Sequence, residues 1–135
     1  MLGGKRIFIV EDSGGNLAIA RILLESYGAI VKFERRGLNV SELILKQMPI
    51  DIILMDLMLP NKVSGFDIVD EIRSVPELAK IPIVAISAAD PDASMPVARE
   101  KGLAGFISKP ITPLIAYHIA KVISGIPVWI GDSRF

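Results

Sequence analysis

Five short apolar runs alternate with helix-like segments along this chain, and this alternation limits the fold more than any other feature. The runs IDIILM at 50–55 and IPIVAIS at 81–87 are hydrophobic at nearly every position. Strands with such a pattern are covered on both faces, which is typical of parallel sheets. The remaining runs lie at 6–10, 29–34 and 105–108. The sequence therefore predicts an α/β fold, with a five-stranded parallel sheet and helices on both faces.

The segments between the runs carry the signals of amphipathic helices. Ser94 and Thr112 are of the residue types that cap helix N-termini, and Pro113 suits a first helical position. We predict one domain over 1–125, followed by a C-terminal tail at 126–135 that falls outside the strand pattern. Helices are predicted over 16–27, 38–47, 65–74, 95–101 and 113–124.

Composition and charge exclude several classes of function. Fifteen basic residues balance fifteen acidic ones, so we expect no direct binding to nucleic acid. No apolar run approaches the ~20 residues that span a membrane. The first apolar run meets Glu11 and Asp12 too soon for a signal peptide, so a cytoplasmic location is expected. The absence of cysteine excludes disulfides and cysteine-based metal or nucleophile chemistry.

Polar side chains occur where the predicted strands end. Glu11 and Asp12 follow the first strand, and Asp56 ends the third. Ser87 ends the fourth strand, and Lys109 follows the fifth. Because the carboxyl ends of parallel strands share one edge, where ligands bind in open α/β sheets, these residues are expected to form one site.

The chemistry of this set favours phosphoryl transfer. Three carboxylates without histidine or cysteine suit Mg²⁺, and an ammonium with a hydroxyl suits the oxygens of a phosphoryl group. Asp56 is the expected nucleophile, because carboxylates form acyl phosphates. Each residue alone has an ordinary explanation as a turn, loop or surface residue, and only the joint placement favours a site. His118, in the middle of a predicted helix, is not expected to be catalytic.

Four motifs in order carry a resemblance to a known family. They are VED at 10–12, LMDLMLP at 54–60, ISA at 86–88 and SKP at 108–110. Together they resemble the receiver domains of two-component response regulators, the family of the bacterial chemotaxis regulator, over residues 5 to about 124. The resemblance implies a flavodoxin-like, doubly wound sheet with the strand order 2-1-3-4-5.

The resemblance also implies the roles of individual residues. Asp56 would accept a phosphoryl group from a histidine kinase or a histidine phosphotransfer protein. Glu11, Asp12, Asp56 and the backbone carbonyl of Met58 would hold Mg²⁺, and Lys109 would pair with the phosphoryl oxygens. No other cofactor is implied. Such a domain is a signalling switch rather than an enzyme, although it promotes its own phosphorylation and dephosphorylation with Mg²⁺.

The resemblance further implies how the signal leaves the domain. Ser87 would move toward the phosphoryl group, and Phe106, where many members have tyrosine, would turn into the vacated space. The peptide bond between Lys109 and Pro110 is cis in the family. Output would pass through the 95–124 face to a downstream protein or to a second copy of the chain.

Three alternatives remain beside this interpretation. A flavin-binding, flavodoxin-like protein shares the topology, but the carboxylates at 11 and 12 would repel a phosphate in its first loop. A phosphatase of the haloacid dehalogenase type needs an acid two residues after the nucleophile, where this chain has Met58. A docking module that works without phosphorylation would be marked by a missing acid or lysine, and none is missing.

Overall fold

The structure is a computed structural model of the chain, and it describes residues 1–131. Residues 132–135, the end of the predicted tail, lie outside the described residues. All five predicted strands and all five predicted helices are present, with ends displaced by a few residues. The strands are β1 (Arg6–Val10), β2 (Ile30–Glu34), β3 (Ile52–Met55), β4 (Ile83–Ser87), β5 (Gly105–Ser108) and β6 (Val128–Ile130). The helices are α1 (Gly14–Glu25), α2 (Val40–Gln47), α3 (Gly65–Ser74), α4 (Pro91–Glu100) and α5 (Ile115–Ile123).

The sheet has six parallel strands in the order β2-β1-β3-β4-β5-β6. The first five follow the order that the resemblance implies, but the prediction of five strands is wrong. Part of the segment predicted as a tail forms β6 and pairs with β5, from Gly105 with Val128 to Ile107 with Ile130. Gly105 makes this pairing possible, because a Cβ there would lie 2.3 Å from the carbonyl oxygen of Val128.

Two hydrophobic layers cover the sheet, one on each face. Helices α1 and α5 pack on one face, and helices α2, α3 and α4 pack on the other. β3 and β4 are buried along their whole length, as their unbroken apolar sequences predict. Among the described residues, no helix is both long and apolar enough to cross a membrane.

Helices α4 and α5 do not begin directly after their predicted capping residues. Helix α4 begins at Pro91, because the side chain of Asp90 caps it by accepting a hydrogen bond from the N–H of Asp92 at 3.0 Å. Ser94, the predicted cap, is a buried residue inside this helix. Helix α5 begins at Ile115, and the hydroxyl of Thr112 instead caps the preceding turn through the N–H of Leu114 at 3.3 Å.

Candidate functional site at the carboxyl edge of the sheet

The predicted site residues lie side by side because the sheet hydrogen bonds continue past the strand ends. The N–H of Asp56 donates to the carbonyl of Val10 at 3.0 Å, which places the residue after β3 beside the end of β1. The N–H of Lys109 donates to the carbonyl of Ser87 at 2.9 Å, which places the residue after β5 beside the end of β4. The Lys109–Pro110 peptide bond that follows is cis, as the resemblance implies.

Lys109 joins two nearly buried carboxylates. Its Nζ lies 2.7 Å from Oε1 of Glu11 and 3.2 Å from Oδ2 of Asp56. Burial alone would lower the pKa of Lys109, but the contacts with these two carboxylates outweigh it and raise that pKa. Lys109 is therefore held as an ammonium ion in the middle of the cleft.

Glu11 carries a charge that Lys109 compensates only in part. Its pKa is raised from 4.5 to about 7, mainly because the carboxyl group is buried, and the neighbouring Asp56 contributes to this rise. Hydrogen bonds from Lys109 and from the N–H of Ser13 act in the opposite direction. A divalent cation beside Glu11 would favour its charged form and so oppose this rise in pKa.

The carboxylates of Glu11, Asp12 and Asp56 form a compact set of oxygen ligands. One oxygen from each residue lies within 4.8 Å of the others, and Asp12 is the most exposed of the three. Mg²⁺ holds oxygen ligands at about 2.0–2.1 Å, so the three carboxylates would have to draw closer together to share one ion. Three carboxylates against one ammonium leave two negative charges, which matches a divalent cation.

Backbone geometry fixes Asp56 at the start of the next loop. Its Oδ1 accepts a hydrogen bond from the N–H of Met58 at 3.1 Å, which brings the main chain of Met58 to the cleft. A Cβ on Gly65 would lie 2.2 Å from the carbonyl oxygen of Asp56. Only glycine therefore allows the first residue of α3 to pack so closely behind the site.

Unlike the charged residues, Ser87 and Phe106 are completely buried. Ser87 is fully buried, and its hydroxyl accepts a hydrogen bond from the N–H of Ala89 at 3.0 Å. Phe106 is also fully buried, but it belongs to the hydrophobic layer beneath α4. The structure thus holds this aromatic ring inside the domain.

Arg35 and Ser13 support the site and were missed by sequence reasoning. Nη2 of Arg35 donates to the carbonyl oxygen of Asp12 at 2.9 Å, and Gly14 leaves the space that the guanidinium needs. The hydroxyl of Ser13 caps α1 through the N–H of Asn16 at 3.2 Å. Arg35 follows β2 directly, so its place at the carboxyl edge was the signal that could have identified it.

Comparisons with known proteins find related sequences and similar folds. The family model described as "Response regulator receiver domain" matches residues 7–117. The polar-differentiation response regulators DivK of Brucella anthropi and Brucella ovis are each 33% identical over 129 residues, and each alignment covers 96% of this chain and 98% of the relative.

Two solved structures show the same fold. A putative response regulator from Chloroflexus aurantiacus J-10-fl is similar with a TM-score of 0.79 at 22% identity, over 89% of this chain and 97% of the other. The receiver domain of the sensor histidine kinase PA1611 from Pseudomonas aeruginosa PAO1 gives a TM-score of 0.78 at 25% identity. That alignment covers 91% of this chain and 100% of the other, which has a magnesium ion coordinated in its active-site cleft.

Proposed function

This chain belongs to the response regulator receiver domain family of two-component signalling, and from that premise we propose that it is a switch operated by phosphorylation of Asp56. The observation that carries the proposal is the position of Lys109, whose ammonium bridges Asp56 and Glu11 at the edge of the sheet. This arrangement leaves a carboxylate nucleophile and a cation for the transferred group within one cleft.

The phosphoryl donor is proposed to be a phosphohistidine of a histidine kinase or of a histidine phosphotransfer protein. A carboxylate oxygen of Asp56 forms a bond to phosphorus while the P–N bond of the donor breaks. The imidazole nitrogen of the donor keeps the electron pair of that bond. Lys109 exchanges its contact with Asp56 for the new phosphoryl oxygens, and its raised pKa keeps it charged throughout.

The residues of the cleft fit a magnesium ion. Glu11, Asp12 and Asp56 would hold it, because one carboxylate oxygen of each lies within 4.8 Å of the others, and the family resemblance adds the backbone carbonyl of Met58. When bound, Mg²⁺ supplies charge neutralisation for the transferring phosphoryl group. The magnesium in the cleft of the PA1611 receiver domain supports this assignment.

Phosphorylation adds roughly −1.5 to −2 charge units and three acceptor oxygens beside Ser87. Ser87 would turn its hydroxyl from the loop to the phosphoryl group and release the N–H of Ala89. Because Phe106 is already buried, its response would be a repacking within the layer beneath α4. The change would be passed to a downstream protein or a second copy through the 95–124 face.

Mass spectrometry after incubation with acetyl phosphate and Mg²⁺ tests the proposal. We expect the parent to take up one phosphoryl group and the Asp56→Asn variant to take up none. Asp51→Asn is a matched control, because Asp51 lies at the amino end of the same strand and binds the N–H of Arg6. Equal uptake by Asp56→Asn and the parent overturns the site assignment, and no uptake by the folded parent favours phosphorylation-independent docking.

A further inference from the structure

Asp12 is the carboxylate of the cleft that the rest of the protein holds least. Glu11 and Asp56 are nearly buried, and both contact the ammonium of Lys109. Asp12 is the most exposed of the three, and its carboxylate forms no ion pair or hydrogen bond with residues 1–131. In that part of the chain, its only hydrogen bond is the one that Nη2 of Arg35 donates to its carbonyl oxygen at 2.9 Å. The placement of the third carboxylate therefore depends on a contact with its main chain.

Arg35 extends from a turn whose main chain is fixed on both sides. Before it, the carbonyl oxygen of Glu34 accepts a hydrogen bond from the N–H of Glu11 at 3.1 Å. After it, the carboxylate of Glu34 accepts hydrogen bonds from three successive N–H groups, at 36–38. Within these three residues Gly37 has a φ of +77°, a left-handed conformation that glycine adopts without strain. The guanidinium of Arg35 thus reaches the loop between β1 and α1 from a well-anchored base.

The chemistry of this contact suits the support of a metal ligand. An ion pair between Arg35 and the carboxylate of Asp12 would occupy the oxygens that a cation needs. The hydrogen bond to the carbonyl oxygen fixes the residue and leaves those oxygens available. Groups that orient a ligand without touching the metal commonly control metal affinity in this way.

We propose that Arg35 is a positioning residue of the magnesium site, whose hydrogen bond holds the main chain of Asp12 beside the other two carboxylates. This role depends on the magnesium site proposed for the same cleft. The three carboxylates must draw closer together to share one Mg²⁺. With the main chain of Asp12 already held, binding has less conformational freedom to remove, and the ion binds more tightly.

A titration with MgCl₂, followed by the NMR shifts of the cleft amides, tests this role without phosphorylation. We expect Arg35→Ala to raise the dissociation constant for Mg²⁺ by about 2- to 10-fold, the range for the loss of one hydrogen bond. Because Arg35 is exposed, its replacement leaves the hydrophobic layers intact.

The matched control is Arg36→Ala. Arg36 is exposed in the same turn and lines the same open pocket as Arg35, but its side chain makes no hydrogen bond or ion pair with the described residues. Loss of a positive charge near the cleft would by itself strengthen the binding of a cation. Arg36→Ala should therefore bind Mg²⁺ as well as the parent or more tightly, whereas Arg35→Ala should bind it more weakly.

A conservative variant separates positioning from a structural role. Arg35→Lys keeps a cationic donor on a long side chain, so it should recover part of the affinity that Arg35→Ala loses. A purely structural contact would lower the melting temperature of the metal-free protein and leave the dissociation constant unchanged. That result, or equal or tighter binding by Arg35→Ala, would overturn the role of Arg35 while the magnesium site stands. If MgCl₂ causes no shifts in the parent, the proposed magnesium site itself fails.

Discussion

At the scale of single residues, the charge balance of the cleft depends on Lys109. Its ammonium is the cation that contacts both Glu11 and Asp56, and all three side chains are nearly buried. Removing one member of a buried ion pair is costly, because the remaining charges lose their partner in a region of low dielectric. The same loss at an exposed pair is small, because water and salt screen the charges.

We therefore predict that Lys109→Ala lowers the free energy of unfolding by about 3 kcal/mol in the absence of Mg²⁺. Mg²⁺ should recover part of this loss, since a bound divalent cation stabilises the folded state that binds it. Urea denaturation with and without Mg²⁺ measures both effects.

The control for this prediction is Lys101→Ala, which removes the partly exposed pair of Lys101 with Asp70 at 2.9 Å. It should cost less than about 1 kcal/mol and show no gain from Mg²⁺ relative to the parent. Similar losses in the two variants would show that Lys109 has no special part in the charge balance.

His118 provides a prediction about pH. It lies on α5, its Nδ1 has no hydrogen-bond partner in residues 1–131, and burial together with the charge of Lys121 lowers its pKa below 6.5. The unfolded chain thus binds a proton at His118 more readily than the folded chain does. The stability that neutral His118 contributes is present above pH 6.5 and is lost as the pH falls below that value.

The variant His118→Gln should therefore lose less stability than the parent between pH 7.5 and pH 5.5. Glu11 acts in the opposite sense, because its raised pKa makes the folded chain bind protons more readily as the pH falls from about 7. Comparing parent and variant by urea denaturation at each pH removes that contribution. A difference that does not change with pH contradicts the assignment to His118.

At the scale of helices and strands, elements with a local signal could be predicted, and those that depend on distant contacts could not. Helix α3 was predicted with its observed ends, because Ser64, Gly65 and a regular apolar face lie within one segment. β6 has only three residues, and they show no alternation of polar and apolar side chains. Its pairing depends on Gly105, about twenty positions earlier, and that dependence is visible only in three dimensions.

The start of α4 and the residues of the cleft were also predicted only in part from the sequence. Asp90–Pro91 is a good start signal, but Ser94 and Pro96 a few residues later provide a second one, and Pro96 proves to lie inside the helix. The charged residues of the cleft were predicted to meet because each follows a strand end. Arg35 also follows a strand end, but the sequence does not show that its partner is the backbone carbonyl of Asp12.

The role of Gly105 leads to a prediction at this scale. In Gly105→Ala the new methyl group would collide with the carbonyl of Val128, so β6 should detach from β5. We expect the emission of Trp129 to shift to longer wavelength and to become open to quenching by iodide. Gly131→Ala is the control, because its Cβ would make only ordinary contacts with Met95 and Pro91. A Gly105→Ala variant with the parent's emission would show that the strand pairing tolerates a side chain at this position.

At the scale of the whole molecule, the charged residues lie at the carboxyl edge of the sheet, whereas β6 is one of its two outer strands. The carboxyl edge holds the charged residues, and they follow strands β1, β3 and β5, near the centre of the sheet. β6 contributes no residue to that carboxylate cluster and instead covers the flank of the hydrophobic layer beneath α4. The residues proposed for phosphoryl chemistry and the strand that covers this flank therefore lie in separate parts of the chain.

Truncation after Gly125 tests this separation, and with it the proposal that residues 1–125 form the receiver domain. The shortened chain loses the buried Val128 and the half-buried Trp129, which should lower the free energy of unfolding by about 3 to 5 kcal/mol. It should keep its helical circular dichroism and still take up a phosphoryl group at Asp56. A truncated chain that folds but takes up no phosphoryl group would show that β6 is part of the site's support and that the chemistry extends beyond residue 125.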